Sequence, residues 1–239
     1  MSFVVPAVLP TSRDDLEGKI ALFAKMPRVS RIQIDTVDGH FAAPASWPYT
    51  AVAEFRAMQA RGEMLPALER FEYEIDLMNL DPESAGAAWL ALGATRLTFH
   101  AESATDLGKL LARMHAKYTA GAGFVPRLVS FGIALNLGTD LALIEPVLAQ
   151  ADYVQFMGIA KIGRQGQPFD ARTYDRVRAF RKRHPDVPVQ VDGGMTFAVA
   201  RELAVLGVSN IVAGSSVLGA QDPVAAAAAY DSLDNLYGV

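Results

Sequence analysis

Residues 187–218, VPVQVDGGMTFAVARELAVLGVSNIVAGSSVL, contain two short β-rich runs separated by one longer helical stretch. The runs Val187–Asp192 and Asn210–Ala213 are rich in the β-branched residues that favour strands. The stretch between them, Phe197–Leu206, follows a threonine, a preferred residue for capping the start of a helix. Strands that alternate with helices indicate a parallel sheet, so this segment predicts a βαβ unit.

The same alternation extends over the whole chain. Six more candidate strands precede this unit: Phe3–Leu9, Arg31–Asp35, Glu72–Met78, Thr95–His100, Arg127–Ala134 and Tyr153–Met157. The other candidate helices are Ser84–Leu92, Asp106–Ala120, Leu141–Gln150, Asp170–Arg183 and Pro223–Leu236. Eight strands that alternate with helical stretches in about 250 residues predict an α/β fold of the (β/α)8 TIM-barrel type, whereas a doubly wound sheet usually has fewer strands.

The composition limits the organisation and the partners. No linker rich in proline, glycine or serine divides the chain, so we expect residues 1–239 to form a single barrel domain. With 22 Lys and Arg against 26 Asp and Glu, the net charge of −4 disfavours nucleic acid and anionic membranes as partners. The chain has no cysteine, no uncharged apolar run near membrane-spanning length and no basic start typical of a signal peptide. We therefore predict a cytoplasmic protein, and we expect it to be a homo-oligomer.

A barrel of this type directs attention to the residues that end its strands. In (β/α)8 enzymes the chemistry takes place at the carboxyl ends of the strands and in the loops that follow them. The polar residues at these predicted ends are Asp35, Asp76, His100, Glu102, Asn136 and Asp192. His100 is a candidate for facing a ligand, with a structural role as the alternative. The four histidines form no HxH or HxxxH pair, so the sequence does not indicate a histidine metal site.

Two glycine turns follow the last two predicted strands. They are Asp192-Gly193-Gly194 and Gly214-Ser215-Ser216. Glycines expose backbone N–H groups, a helix start adds the positive end of its dipole, and serine adds a hydroxyl, so the two turns predict a phosphate-binding site. The alternative is that the glycines only allow tight turns. We expect a further contribution from Gly163 and Gly166 in the loop after strand six, with a plain exposed loop as the alternative.

Asp35 and Asp192 are the candidate catalytic residues. They end strands two and seven, which lie nearly opposite one another in a ring of eight strands. Two carboxylates on either side of a ligand suit acid–base chemistry in which one removes a carbon-bound proton and the other delivers a proton to the opposite face. Taken singly, each is also consistent with a helix cap or a hydrogen-bonded structural acid.

Seven motifs follow one another along the chain. They are QIDTVDGHF at 33–41, DLMNLDPE at 76–83, LTFHAES at 97–103, GIALN at 132–136, the loop from Met157 to GQPF at 166–169, VDGGMT at 191–196 and VAGSSVL at 212–218. In this order and at this spacing they resemble the ribulose-phosphate 3-epimerase family over nearly the whole chain.

The resemblance implies both a fold and a site. The fold is a (β/α)8 barrel of the ribulose-phosphate-binding type that acts on a phosphorylated ketose, with Asp35 and Asp192 as the acid–base groups. The phosphate-binding residues implied by the family motifs are Gly193, Gly194, Gly214 and Ser215. Met78 and Met157 are implied to line the pocket between the two carboxylates.

Two departures from the family pattern concern its metal ligands. The family has a histidine two residues before the first catalytic aspartate and another that opens an HLM motif, and these hold a divalent metal together with the two aspartates. Gln33 and Asp76 stand there in this chain. Gln33, Asp35, Asp76 and Asp192 would present an all-oxygen set, suited to magnesium, calcium or manganese and not to zinc. Alternatively no metal binds, and a protonated Asp76 donates a hydrogen bond to an enediolate oxygen.

These observations predict an isomerase that epimerises a phosphorylated ketose through an enediolate. The first alternative is a metal-independent phosphosugar enzyme of the lyase or aldolase type. The second is a non-catalytic homologue that only binds a sugar phosphate. Retention of both Asp35 and Asp192 favours an enzyme, whereas loss of the two histidines disfavours the family's own reaction.

Overall fold

The computed structural model describes residues 2–119 and 128–237. Within these residues eight parallel strands form a closed barrel in chain order, and the last strand pairs with the first. The strands are β1 Val4–Val8, β2 Arg31–Val37, β3 Glu72–Met78, β4 Arg96–His100, β5 Ser130–Leu135, β6 Tyr153–Met157, β7 Val189–Asp192 and β8 Asn210–Ala213. The predicted fold class is confirmed. The predicted helix end at Ala120 and strand start at Arg127 lie outside the described residues, and the single domain over 1–239 stays a prediction.

Helices surround the barrel. They are α1 Arg13–Phe23, α2 Val52–Ala60, α3 Pro82–Leu90, α4 Leu107–Tyr118, α5 Arg172–Arg183, α6 Phe197–Val205, α7 Ser215–Leu218 and α8 Pro223–Tyr237. In the described part of the chain, none of them combines the length and apolar character needed to cross a membrane. The cytoplasmic location and the homo-oligomer stay predictions.

The segment between β5 and β6 differs from the predicted helix. Instead of one α-helix over Leu141–Gln150, two 3₁₀ helices span Leu141–Leu143 and Glu145–Gln150. Pro146 explains the break, because proline has no backbone N–H to donate and its ring clashes with the carbonyl four residues earlier. Pro146 lies instead in the first turn of the second segment, where its missing N–H costs nothing.

The apolar core lies between the barrel and the surrounding helices. It contains an aromatic cluster in which Trp47 meets Phe55 edge to face at 5.5 Å and Trp89 at 5.8 Å between ring centroids. Trp47 and Trp89 are almost completely buried. Nearly all residues of the described strands are buried, as expected for a parallel barrel with helices on its outer face.

The inside of the barrel is polar, with a charged group below the strand ends. The Glu74 carboxylate lies 3.0 Å from Arg96 Nε and 3.9 Å from Arg31 Nη1, and it is fully buried. Burial opposes its charge, but the two guanidinium groups lower the pKa of Glu74 below its ordinary value. The Tyr153 hydroxyl also donates to the Glu74 carboxylate. Gly132 makes room for the Tyr153 ring, because a Cβ at Gly132 would lie 2.2 Å from that ring. An ionised carboxylate is therefore held beneath the site.

Candidate active site

The carboxyl ends of β2, β3 and β7 bring three aspartates together. Asp35 and Asp76 lie side by side, because they are register partners in neighbouring strands. Asp192 ends β7, and one oxygen from each of the three carboxylates lies within 4.8 Å of the others. Asp35 and Asp76 are buried and Asp192 is partly buried. The structure thus places the two predicted acid–base residues at one point, with Asp76 beside them.

Side-chain nitrogens surround this cluster. Gln33 Nε2 donates to Asp35 Oδ1 at 2.8 Å and to Asp192 Oδ2 at 2.9 Å. Gln155 Nε2 donates to Asp76 Oδ2 at 2.8 Å and lies 3.5 Å from Asp192 Oδ2. Each aspartate therefore accepts at least one hydrogen bond from a glutamine amide.

His100 completes the surroundings of Asp76. Its Nε2 lies 2.9 Å from Asp76 Oδ1, and its Nδ1 lies 3.8 Å from Glu102. Burial alone would lower the pKa of His100, but the charge and the hydrogen bond of Asp76 raise it to about 9. His100 is fully buried and is not among the residues that line the cavity, so its place in the structure is that of a partner of Asp76.

The two candidate bases have raised pKa values. Burial, and after it the charge of Asp76, raises the pKa of Asp35 to about 7. Burial and the charges of Asp35 and Asp76 raise the pKa of Asp192 well above its ordinary value. Like charges close together cannot all ionise at low cost, so the cluster retains a proton near neutral pH.

A cavity opens above the aspartates at the mouth of the barrel. It is lined by Asp35 and Asp192 and by most of the other predicted site residues: Met78, Met157, Gly163, Gly166, Gly193, Gly194, Gly214 and Ser215. Gln33 and Asp76 are not part of this lining and lie below it. The two methionines add apolar surface to the lining of the cavity.

The rim of the cavity is built from the two predicted glycine turns. Gly193 and Gly194 have φ angles of 102° and 69°, a left-handed region that favours glycine. A Cβ at Gly194 would lie 2.5 Å from the backbone of Phe169, so the close packing of this turn against the loop after β6 also requires glycine. Ser216 Oγ, on the same rim, is buried without a hydrogen-bond partner in the described structure. Ser216 belongs to the predicted Gly214-Ser215-Ser216 turn but was not among the predicted site residues.

The loop after β6 folds over the cavity. Gln165 lines the cavity, lowers the pKa of nearby Asp35, and lies so close to Gly214 that a Cβ there would be 2.5 Å from its Nε2. Gln167 stabilises the loop, because its side-chain oxygen accepts a hydrogen bond from Lys161 N and its side-chain nitrogen donates one to Arg164 O. Gly163 and Gly166 of this loop line the cavity, and Gln165 is a further lining residue that the sequence motifs did not single out.

The donor set decides how well a divalent ion fits. Three carboxylates within 4.8 Å form an acidic cluster of a size that suits such an ion. However, both oxygens of Asp76 and one each of Asp35 and Asp192 already accept hydrogen bonds from nitrogen. Gln33 turns its nitrogen towards the carboxylates, and an amide N–H₂ is not a metal ligand. The predicted all-oxygen set is therefore not the one the structure presents.

The closed barrel and the carboxylates and glycine turns at its strand ends place the protein in the class of (β/α)8 barrels with a candidate site at the carboxyl face. Solved structures of this fold resemble it. The 3-hexulose-6-phosphate synthase of Salmonella typhimurium has a TM-score of 0.67 at 15% identity, covering 99% of this chain and 100% of its own. The 3-keto-L-gulonate-6-phosphate decarboxylase of Vibrio cholerae has a TM-score of 0.66 at 13% identity, covering 99% and 98%.

The sequence assigns the chain within this class. The profile of the ribulose-phosphate 3-epimerase family matches residues 3–218, so the chain belongs to that family. The ribulose-phosphate 3-epimerase of Mycobacterium leprae is 30% identical over 95% of this chain and 92% of its own length. The enzyme of the same name from Schizosaccharomyces pombe is 26% identical over 92% and 88%. The family resemblance predicted from the motifs is confirmed.

Proposed function

We propose that the protein is an epimerase of a phosphorylated ketose, with Asp35 and Asp192 as its two acid–base groups. The observation that carries this proposal is the convergence of these two carboxylates at the floor of one cavity whose rim is formed by the glycine turns after β7 and β8. Membership of the ribulose-phosphate 3-epimerase family supports the same reaction.

The proposed chemistry moves one proton off a carbon and another onto its opposite face. One aspartate, ionised, takes the proton from the carbon next to the ketone, and the C–H electron pair forms a carbon–carbon double bond while the ketone oxygen becomes an enediolate oxygen. The other aspartate, protonated, then gives its proton to the opposite face of that carbon. The configuration is inverted, and the two aspartates have exchanged protonation states.

The electrostatics of the cluster suit this exchange. A two-base mechanism needs one carboxylate and one carboxylic acid at the same pH. The pKa of Asp35 near 7 and the raised pKa of Asp192 favour a shared proton near neutrality. Two aspartates of ordinary pKa would both be ionised there, and no acid would remain.

We assign the phosphate to the rim above the aspartates. Gly193, Gly194, Gly214 and Ser215 present backbone N–H groups and a hydroxyl around one part of the cavity, and the unpartnered Ser216 hydroxyl lies on the same rim. Anchoring the phosphate there holds the sugar over the carboxylates. Positioning of this kind is a large part of the rate enhancement in proton abstraction.

The test is solvent exchange. The protein is incubated in D₂O with a panel of ketose phosphates, and incorporation of deuterium and formation of the epimer are followed by NMR. We expect deuterium at the carbon next to the ketone, together with the epimer, for at least one substrate. A binding protein exchanges nothing, and a lyase cleaves a carbon–carbon bond; either result would contradict the proposal.

A bell-shaped pH dependence of kcat/KM is the next expected result. As the pH rises above the pKa of Asp35 near 7, the pair loses its shared proton and with it the acid. As the pH falls well below, both carboxyls are protonated and the base is lost. Two apparent pKa values should appear, both belonging to the coupled pair and not to a single residue. A rate that stays constant from pH 5 to pH 9 would contradict the shared proton.

Gln165 is expected to assist turnover without supporting the fold. It lies on the covering loop, is exposed, and reaches Asp35, whereas Gln33 is buried and already bonded to two carboxylates. Its amide is therefore free to turn to a substrate oxygen. We expect Gln165→Leu to lower kcat by about 10- to 100-fold, at or below the range for losing one donor to a developing oxyanion. The melting temperature should not change, and Gln221→Leu at an exposed position serves as the control.

A further inference from the structure

A second layer of amides lies beneath the aspartates. The layer is built from three glutamines, each two residues before a site residue of the same strand: Gln33 before Asp35, Gln155 before Met157 and Gln190 before Asp192. Because residues two apart in a strand share a face, the glutamine side chains point to the same inner face as those site residues. All three glutamines are buried. Gln190 Nε2 lies 2.8 Å from Gln155 Oε1 and 3.3 Å from Gln33 Oε1, so the three amides form one connected group, which we call the amide layer.

The charge of Glu74 sets the orientation of this layer. Gln190 Nε2 lies 2.6 Å from Glu74 Oε1, and the arginines beside Glu74 hold it ionised. A reversed Gln190 amide would place its oxygen against that carboxylate, so the nitrogen must face Glu74. The oxygens of Gln33 and Gln155 then face the Gln190 nitrogen.

The contacts of the amide layer with Gln190 and Glu74 below determine which amide atoms face the aspartates above. Because their oxygens are held downwards, Gln33 and Gln155 turn their nitrogens upwards to the aspartates, at 2.8 to 2.9 Å. His100 adds a further nitrogen to Asp76 at 2.9 Å. The aspartates thus meet N–H donors on the side where the proposed ligand set required oxygen.

We propose that the amide layer takes the structural place of a divalent metal, so that the aspartates are held in position by N–H donors and the site works without an ion. The proposal rests on the proposed function for its catalytic part, but its statement about metal binding does not. Gln33, Gln155 and Gln190 are positioning residues, since they act on the aspartates and not on the substrate. A metal would have to displace Gln33 and Gln155 from three hydrogen bonds of 2.8 to 2.9 Å to the aspartates. It would also have to reverse amides that Glu74 orients through Gln190.

The first measurement is made on the wild-type protein. It is dialysed against a chelator, analysed for bound metals, and melted with and without added Mg²⁺, Mn²⁺ or Zn²⁺. We expect less than a tenth of an ion per chain and a melting temperature unchanged by any of the three, because an ion that binds the folded state must raise it. Metal that survives the chelator in stoichiometric amount, or a melting temperature that rises with Mg²⁺ or Mn²⁺, would overturn the proposal.

The second measurement reverses the feature that excludes the ion. Gln33→Glu replaces the N–H₂ group with an oxygen and places a fourth carboxyl at the cluster. We expect this variant to bind Mn²⁺, with a rise in melting temperature of about 5–10 °C at a metal concentration of about 100 times Kd. Gln33→Met removes the amide without adding an oxygen and should lose stability with no response to metal. Gln221→Glu makes the same charge change on the surface and should behave as wild type.

The outcomes separate the proposal from the proposed function. A folded Gln33→Glu that ignores Mn²⁺ would show that amide orientation is not what excludes the ion. If Gln33→Glu does not fold, Gln190→Met provides the same test, since it frees the two upper amides to turn their oxygens to the cluster, and its failure to respond would likewise overturn the proposal. Activity lost on chelation would contradict the metal-free site and leave the epimerase intact. Inactivity under all conditions, with no metal bound, would contradict the epimerase and leave the amide layer intact.

Discussion

Replacing Asp35 with asparagine is expected to lower epimerisation by about 10²- to 10⁴-fold, the usual contribution of a general acid–base group. Asparagine keeps the size of the side chain and an oxygen that accepts from Gln33 Nε2, which lies 2.8 Å from Asp35 Oδ1. It cannot take up or deliver a proton. The effect is measured as the rate of epimer formation from either stereoisomer.

The two epimers should respond differently in a deuterium-exchange assay. If Asp35 and Asp192 act on opposite faces of one carbon, Asp35→Asn leaves intact the group that faces one of the two epimers. That epimer should still exchange its proton with solvent, while the other becomes inert. Asp192→Asn should show the reverse preference. Equal exchange of both epimers by Asp35→Asn would show that the bases are assigned wrongly.

Stability provides an independent check on the same variant. The pKa of Asp35 is raised on folding from the ordinary value near 4 to about 7, so the folded protein binds the extra proton between these pH values. Stability therefore falls as the pH rises through this window, because ionising the buried carboxyl is harder in the folded state. Asp35→Asn has no carboxyl to ionise at this position, so it avoids this fall in stability. It should be at least as stable as wild type at pH 7 and above.

The matched control lies at the other end of the barrel. Asp231 is buried and accepts hydrogen bonds from Ser2 Oγ at 2.5 Å and from Val4 N at 3.2 Å, away from the cavity. Asp231→Asn should lower the melting temperature, because it weakens a buried charged hydrogen bond, and leave exchange of both epimers unchanged. A loss of exchange in both variants would indicate a general effect of buried Asp-to-Asn changes.

Much of the barrel can be predicted from short apolar runs. The observed bounds of β3, β6 and β8 are the same as the predicted bounds. The helices α1 and α2 were missed, and their apolar faces are narrow: α1 buries only Leu16, Ile20 and Phe23. Position at a strand end also located Asp35 and Asp192, since parallel strands of a barrel place all their carboxyl ends on one face.

The orientation of the amides in the amide layer could not be predicted from the sequence. Gln155 and Gln190 carry a usable signal, because a polar residue two positions before a strand-end site residue must share its inward face. Gln33 and Asp76 were recognised as departures from the family, but which atom of an amide faces a carboxylate depends on Glu74, Arg96 and Gln190 in other strands. Hydrogen-bond direction is a property of the closed barrel and cannot be read from one strand at a time.

The phosphate assignment predicts the other large effect, at Gly214. Its φ of −90° lies outside the left-handed region that favours glycine. A Cβ would lie 2.5 Å from Gln165 Nε2, the end of a flexible side chain, and 3.3 Å from Ala7 O. Gly214→Ala should therefore displace Gln165 and cost little binding, whereas Gly214→Asp adds a carboxylate inside the cavity at the place assigned to the phosphate.

For Gly214→Asp we expect kcat/KM to fall by about 100-fold or more, because losing charge-assisted hydrogen bonds and adding a like charge together exceed the roughly 2.8 kcal/mol of two tenfold steps. Competitive inhibition by inorganic phosphate should disappear, while the melting temperature stays near that of Gly214→Ala. Gly138→Asp makes the same change in open space after β5 and should leave both measurements unchanged. Phosphate inhibition that persists in a folded Gly214→Asp variant would place the anion elsewhere on the barrel, and the sugar could then not be held over Asp35 and Asp192 in the way that the two-base mechanism requires.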